Sequence, residues 1–323
     1  MPSGPRLSIG MPVFNGERYL AEAITSLLDQ TFRDFEIVVL DNASTDATPA
    51  IVADLISRDS RIRYVRNDTN IGASPNFAKV ARLTTAPFFK WAAHDDLHAP
   101  TYLESCMAIL AANPAVVLAH SDTVYIGDCG RHFKPGRSGS FLDPATGHEL
   151  PVDKVDLAES GSPFRRFADV VFNSRIGSHM FGIVRRSALD RTRSIQNIPS
   201  SDRPFLAELA LLGPFRQARE PLFRKRFHPA MTWALTGEEV RAYVSGTGSR
   251  YSPKARKLQV YLTAAHGKPV GLLTKAACCG VVLAYSAKVA LRKSASPRPR
   301  AEAKMPPTSN SEKSTNPHSQ VLK

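Results

Sequence analysis

Phe35-Glu36-Ile37-Val38-Val39-Leu40-Asp41-Asn42-Ala43-Ser44-Thr45-Asp46 decides how this chain is read. Residues 35–40 form a short apolar run rich in β-branched side chains, which reads as a buried strand. Asp41-Asn42-Ala43-Ser44 then supplies turn and N-cap chemistry, and Asp46 falls in the first turn of a helix carrying Ile51, Leu55 and Ile56 on one side. The unit is strand, turn, helix.

Working outward, the same order recurs. Residues 7–13 read as a strand, after which Gly16 and Glu17 turn the chain into a helix through Tyr19, Ala23, Ile24, Leu27 and Leu28. In the other direction come a strand at 62–65, a helix at 74–81 and an apolar run at 87–93 that ends abruptly in His94-Asp95-Asp96. A helix at 100–110 and a strand at 116–120 follow. Strands alternating with helices of about 10 to 15 residues predict an α/β fold, a mostly parallel sheet with helices on both faces. Such sheets bind ligands at the carboxyl ends of their strands, where Asp41 and His94-Asp95-Asp96 fall. After residue 122 the pattern loosens at Gly127, Gly130, Pro135, Gly136, Gly139 and Pro144. A helix at 164–172, a strand at 180–184, a helix at 204–212 headed by Asp202 and a strand at 222–227 ending in His228-Pro229 complete this part.

The chain has 323 residues, 43% hydrophobic and 22% charged, so it buries a sizeable core and is neither a disordered nor a collagen-like polymer. Its net charge of +13 taken whole points to an anionic partner such as nucleic acid or a membrane. The charge is unevenly placed. Residues 1–240 hold 27 basic and 27 acidic residues, whereas residues 241–323 hold 15 basic residues against Glu302 and Glu312. The larger part is neutral, so the surplus carries no information about its chemistry. Four cysteines, at 106, 129, 278 and 279, match neither a disulfide framework nor a zinc set, and the simplest expectation is a reducing compartment. No cleaved export signal is expected at the N-terminus, where Gly10, Pro12, Asn15, Gly16 and Glu17 interrupt the apolar residues.

Asp95 and Asp96 are the sharpest chemical feature, because they follow Phe88-Phe89-Lys90-Trp91-Ala92-Ala93, a segment expected to be buried. Two adjacent carboxylates repel one another there, and a divalent cation, manganese or magnesium, would resolve the conflict while bridging them to substrate phosphates. The plain alternative is N-capping of the helix near Pro100. Asp41 likewise reads either as turn chemistry or as an acceptor for a nucleobase or ribose. No GxGxxG follows the first strand and no GxxxxGK[ST] occurs, which argues against a dinucleotide dehydrogenase and a P-loop phosphotransferase.

Ser8-Ile9-Gly10-Met11-Pro12-Val13-Phe14-Asn15-Gly16-Glu17-Arg18-Tyr19-Leu20, the 35–46 stretch, Asn70-Ile71-Gly72 and His94-Asp95-Asp96 stand in the order and spacing of the family 2 glycosyltransferases. The chain resembles that family over roughly residues 7–228. The resemblance implies a glycosyltransferase A fold of the nucleotide-diphospho-sugar transferase type, a nucleotide-sugar donor, a divalent metal and inversion at the anomeric carbon. Carried over by position, Pro12, Phe14, Asn15 and Glu17 line the nucleotide pocket, Asp41 contacts the base and Asp96 is the metal ligand. His94 stands where the family often has an Asp, so His94 or Asp95 is left to contact ribose or water. Asp202 takes the place of the catalytic base, without the Glu that often precedes it; its plain alternative is a helix cap. His228 matches a place near the diphosphate, and His179 falls where donor-sugar and acceptor contacts are usual.

Between residues 241 and 293 there are ten basic residues and no acidic ones, beside a Leu/Val/Ala-rich segment at 270–291. Its uninterrupted part between Lys275 and Lys288 is 12 residues, about 18 Å of helix, short of the roughly 30 Å bilayer core. An anionic membrane surface suits this composition better than nucleic acid, for which no recognition motif is present. The alternative is that the helix packs on the catalytic domain. The expected organisation is a catalytic domain at 1–230, a basic helical extension at 231–293 and a disordered tail at 294–323. The expected activity is transfer of a sugar to a glycan or lipid-linked acceptor in cell-surface polysaccharide or glycolipid synthesis, on the cytoplasmic face of the membrane. A catalytically silent nucleotide-sugar-binding protein and a basic C-terminal nucleic-acid module are the readings from other classes.

Overall fold

The computed structural model describes residues 4–136, 140–142, 147, 149–150, 152–154, 156–228, 240, 244, 253–266 and 270–295. Of the expected disordered tail at 294–323, Ser294 and Ala295 end the last helix and the rest lies outside the described residues, as does Pro229.

Eight strands form the main sheet in the order β3-β2-β1-β4-β10-β6-β11-β5. They are β1 (Leu7–Val13), β2 (Phe35–Asp41), β3 (Ile62–Arg66), β4 (Phe88–Trp91), β5 (Leu97–His98), β6 (Leu118–Ile126), β10 (Ile183–Arg185) and β11 (Phe215–Arg226). Only β10 and β5 run against the others, so the sheet is mostly parallel as the strand–helix alternation requires. Every residue of β1 is buried, and β2 buries all but Glu36. In register, Val13 lies beside Asp41 and Asp41 beside Arg66, so three chain exits meet at one corner. A small second sheet, β7 (Lys134–Pro135), β8 (Phe141–Leu142) and β9 (Glu149–Leu150), occupies part of the Gly- and Pro-rich stretch.

The helices are α1 (Leu20–Leu28), α2 (Thr48–Arg58), α3 (Ala73–Arg82), α4 (Tyr102–Ala112), α5 (Pro163–Asn173), the short α6 (Arg186–Leu189), α7 (Asp202–Leu212), α8 (Pro253–His266) and α9 (Leu272–Ala295). On α1, Leu20, Ala23, Ile24 and Leu27 face the core at helical spacing. On α2, Val52 and Leu55 are buried while Ile56 is exposed. Met180 and Phe181, expected to begin a strand, end a 3-10 turn over Ser178–Phe181 instead, and β10 starts at Ile183. β6 and β11 both exceed expectation, because Phe223 to Arg226 of β11 pair with Thr123 to Ile126 of β6 beyond a bulge. α8 and α9 pack back on the catalytic part. Tyr261, Ala264, Cys278 and Val282 are buried, and Tyr285 meets Phe172 of α5 with ring centroids 5.9 Å apart.

Candidate active site

The corner made by β1, β2 and β3 is stitched by side chains. The Asn15 N–H donates to Ser44 Oγ at 2.9 Å and the Gly16 N–H to Thr48 Oγ1 at 2.8 Å, while Asn15 Oδ1 accepts from the Thr45 N–H at 2.9 Å. Glu17 closes the pair of loops, its carboxylate accepting the Ala47 N–H at 3.0 Å. Asn15 and Glu17 therefore tie the loop after β1 to the loop after β2, Pro12 is buried and the Phe14 ring is exposed. Asp41 is fully buried and already engaged: Oδ1 accepts the Ser44 N–H at 2.8 Å, and Oδ2 accepts from the Tyr64 hydroxyl and the Arg66 guanidinium. Arg66, whose side chain is 41% exposed, presents a cation to solvent at this corner. Sequence reasoning missed Arg66 and Tyr64, for which β2–β3 register was the available signal. A ladder of buried Asn42, Asn67 and Asn76, extended by the exposed Asn70, fixes the neighbouring loop.

At the end of β4 the two acids point in different directions. Asp95 Oδ2 lies 2.9 Å from His228 Nε2, whose ring rests 4.8 Å from that of Tyr19. Burial works to raise the Asp95 carboxyl, but the His228 hydrogen bond and the charges of His94 and Lys225 hold it down at about 2. Asp96 turns inward and is 1% exposed; Oδ1 accepts the Arg226 N–H at 2.8 Å and Oδ2 faces the Lys225 ammonium at 3.5 Å. Burial pushes Asp96 up to about 6 against the pull of Lys225. Asp96, expected to hold the cation, thus has one oxygen on backbone and the other 3.5 Å from an ammonium and without a hydrogen-bond partner among the described residues, whereas Asp95 is partly exposed beside an imidazole. His94 packs against Gly16, where an added Cβ would come within 3.0 Å of its ring.

The donor set at Asp95 and His228 fits a divalent cation that takes carboxylate oxygen and imidazole nitrogen. Among the described residues no cluster of three or more His, Cys, Asp or Glu is placed to hold a metal. Such a site keeps positions for substrate phosphate and water, which is how magnesium-type ions are usually bound.

Asp202 heads α7. Trp91 of β4 packs edge-on against Phe205, one turn into that helix, with centroids 5.1 Å apart, so the head of α7 stands at the carboxyl end of β4. Gly177 lies directly against it: with φ +79 it is left-handed, and a Cβ there would overlap Asp202 Oδ2. The loop carrying Gly177 is held by Asp153, whose carboxylate accepts the N–H groups of Arg175, Ile176, Gly177 and Ser178 at 2.7–3.1 Å. Burial works to raise Asp153, but the nearby His179 and these N–H groups outweigh it and lower it. His179 is 3% exposed, bonds Lys154 O through Nε2 at 3.0 Å and meets His120 edge-on at 4.6 Å. It thus faces a separate cavity rather than the Asp95–His228 pair. Asp153 and His120 were not singled out from sequence, since one lies in the irregular stretch and the other reads as the end of a strand.

The carboxyl edge of this mostly parallel sheet thus carries the β1–β3 corner, the Asp95–His228 pair and Asp202 at a helix head. Residues 8–192 match the model of Glycosyl transferase family 2, and the chain belongs to that family. It is 26% identical over 244 residues to an uncharacterized glycosyltransferase of Haemophilus influenzae, covering 74% of this chain and 71% of that one. It is 35% identical over 111 residues to the putative glycosyltransferase EpsE of Bacillus subtilis, covering 34% of this chain and 40% of that one. A Rickettsia felis relative, an uncharacterized glycosyltransferase 31% identical over 156 residues, is spanned over 24% of its length and 48% of this chain. The fold is shared with S. aureus TarS, at TM-score 0.62 and 16% identity over 92% of this chain and 76% of that one. It is also shared with the mannosyltransferase PcManGT of Pyrobaculum calidifontis in complex with GDP-Man and Mn2+, at TM-score 0.50 and 13% identity over 91% and 76%.

Proposed function

We propose that this glycosyltransferase moves a sugar from a nucleoside-diphosphate sugar to a glycan or lipid-linked acceptor with inversion. The pairing of Asp95 with His228 after β4, with Asp202 heading the helix that packs on the end of that strand, is the observation that supports the reading. The nucleotide occupies the β1–β3 corner, with Phe14 offering a flat face, Arg66 a cation, and Asn15 and Glu17 holding the loops that shape it. Asp41 acts there by orienting Arg66 and Tyr64. Asp95 and His228 would hold a manganese or magnesium ion, which would supply positive charge to the departing diphosphate. Asp202 takes the proton from the acceptor hydroxyl as its oxygen attacks the anomeric carbon, while the nucleoside diphosphate leaves from the opposite face. Asp202→Asn is expected to keep nucleotide affinity within about twofold and to lose at least about 100-fold in transfer, the usual scale of general-base catalysis. Transfer at the wild-type rate removes Asp202 from this role; calorimetry with UDP or GDP and Mn2+, beside a turnover assay, reads both.

The enzyme works beside an anionic membrane on its cytoplasmic side. In support, all four cysteines are free thiols, and α9 leaves one side uncovered. Leu272, Leu273 and Leu283 are 82%, 87% and 56% exposed, and Ala276, Ala277, Gly280, Ala284 and Ala287 fill the same side without a charge. The opposite side, with Cys278 and Val282, is packed. A helix held on one side by α5 lies on a bilayer rather than crossing it, and the ten cations of residues 241–293 favour anionic headgroups.

A further inference from the structure

Lys90 of β4 is fully buried, a costly place for an ammonium that no step above uses. Its Nζ donates to the Phe181 carbonyl and lies over the rings of Tyr102 and Phe223, 4.7 and 5.6 Å from their centroids. Burial pulls the amine down to about 7, with Cys106 and Asp96 pulling the other way. An apolar side chain of similar length would fill this position at lower cost, so the hydrogen bond is what the lysine adds.

That bond falls on a particular oxygen. The Tyr102 hydroxyl of α4 donates to the same Phe181 carbonyl at 2.8 Å, so buried side chains from two elements fix one acceptor. Phe181 ends the 3-10 turn of Ser178–Phe181, and Gly182 after it is pressed on β6, where an added Cβ would come within 2.6 Å of Ala119 O. The Phe181 ring lies 4.6 Å from the Lys225 ammonium that faces Asp96. The other end of the turn follows Gly177, which abuts Asp202 and whose N–H is held by Asp153. Within the turn the Met180 N–H donates to Gly177 O at 3.1 Å and the Gly182 N–H to His179 O at 3.0 Å. Four residues of such a helix rise about 8 Å, a short hydrogen-bonded strut whose two ends move together.

We propose that Lys90 is a positioning residue for Asp202. With Tyr102 it pins the carbonyl that ends the turn, and the turn carries that fix to Gly177 and the acid beside it. The proposal rests on the glycosyltransferase reading, in which Asp202 is the base, and adds a residue that acts through others.

Lys90→Met keeps an unbranched side chain and removes the donor; Tyr102→Phe keeps the ring and removes the second donor. Both full-length variants are compared with wild type, Asp202→Asn, Gly177→Ala and the double variant Lys90→Met with Gly177→Ala. Hydrogen exchange at residues 177–182 reads the turn, and hydrolysis of UDP-GlcNAc and GDP-mannose in Mn2+, with water as acceptor, reads turnover. In Lys90→Met, exchange at 177–182 is expected to rise about tenfold. The kcat is expected to fall about tenfold, as a small misplacement of a reacting group allows, with KM and the affinity for UDP or GDP within about twofold. The melting temperature is expected to match or exceed wild type, because the buried ammonium is gone. Tyr102→Phe is expected to move exchange and kcat the same way by about threefold, and it decides by the same criteria if Lys90→Met does not fold. The double variant is expected to lose less kcat than the product of the two single losses, because both substitutions disturb one contact. A lysine that only stabilises the fold gives a lower melting temperature, an unchanged kcat per folded molecule and losses that multiply. Unchanged exchange at 177–182, an unchanged kcat or multiplying losses overturn the proposal. Wild type that binds no nucleotide, or Asp202→Asn that hydrolyses donor at the wild-type rate, defeats the glycosyltransferase reading or the base instead, while exchange still reports whether Lys90 holds the turn.

Discussion

At the scale of single residues, the division of labour between Asp95 and Asp96 is the feature most open to test. Asp95→Ala and His228→Ala are each expected to weaken Mn2+-dependent nucleotide binding by about tenfold or more, or at least ~1.4 kcal/mol. Asp96→Asn, which keeps an acceptor for the Arg226 N–H, is expected to stay within about threefold; calorimetry with and without Mn2+ decides, and the reverse pattern returns the cation to Asp96. The sequence marked both acids but not which faces out. Neighbouring residues in a loop have no fixed parity, and only the Arg226 N–H and Lys225, more than a hundred residues later, turn Asp96 inward. His120 adds a pH dependence. Burial, with His179 beside it, lowers its folded value to about 3 from an ordinary 6.5. The folded state therefore disfavours the proton, so the stability contribution is complete above pH 6.5 and is lost as pH falls from 6.5 toward 3. At pH 5 the loss is about 2 kcal/mol. Thermal melts from pH 7.5 to 5 are expected to fall for wild type and to fall less for His120→Phe.

At the scale of elements, the loop–helix contact between Gly177 and Asp202 is the tightest constraint. Gly177→Ala forces a side chain into a left-handed backbone at a cost of about 1–2 kcal/mol and pushes on Asp202 Oδ2. The expected result is a lower melting temperature and a fall in kcat with nucleotide affinity retained; a normal kcat would show that Asp202 tolerates displacement. Elements made of continuous apolar residues, β1 and β2, were legible because each buries nearly all its positions, and α1 because its buried residues recur at helical spacing. The first half of β11, with Arg216, Gln217, Arg219 and Glu220, was not, because it is half-exposed and is held as a strand by pairing with β6. The two-residue β5 is defined only by its contact with β11. Long-range pairing of this kind leaves no local period to read.

At the scale of the whole molecule, a charge-balanced catalytic part is joined to a basic, half-apolar helical pair. Leu273→Glu combined with Leu283→Glu changes two exposed positions, so stability is expected to move by no more than about 0.5 kcal/mol per site. Co-sedimentation with vesicles rich in phosphatidylglycerol is expected to drop several-fold, and further with added salt as headgroup attraction is screened. Equal pelleting of variant and wild type would remove the membrane from the account.

Asp153 has a wider consequence. Its single carboxylate gathers four successive amide protons, so the loop that abuts the proposed base is held by one distant side chain. Because Asp153 lies in the β6-to-α5 connection, a change in the length of that connection is expected to move Gly177 and, through it, Asp202.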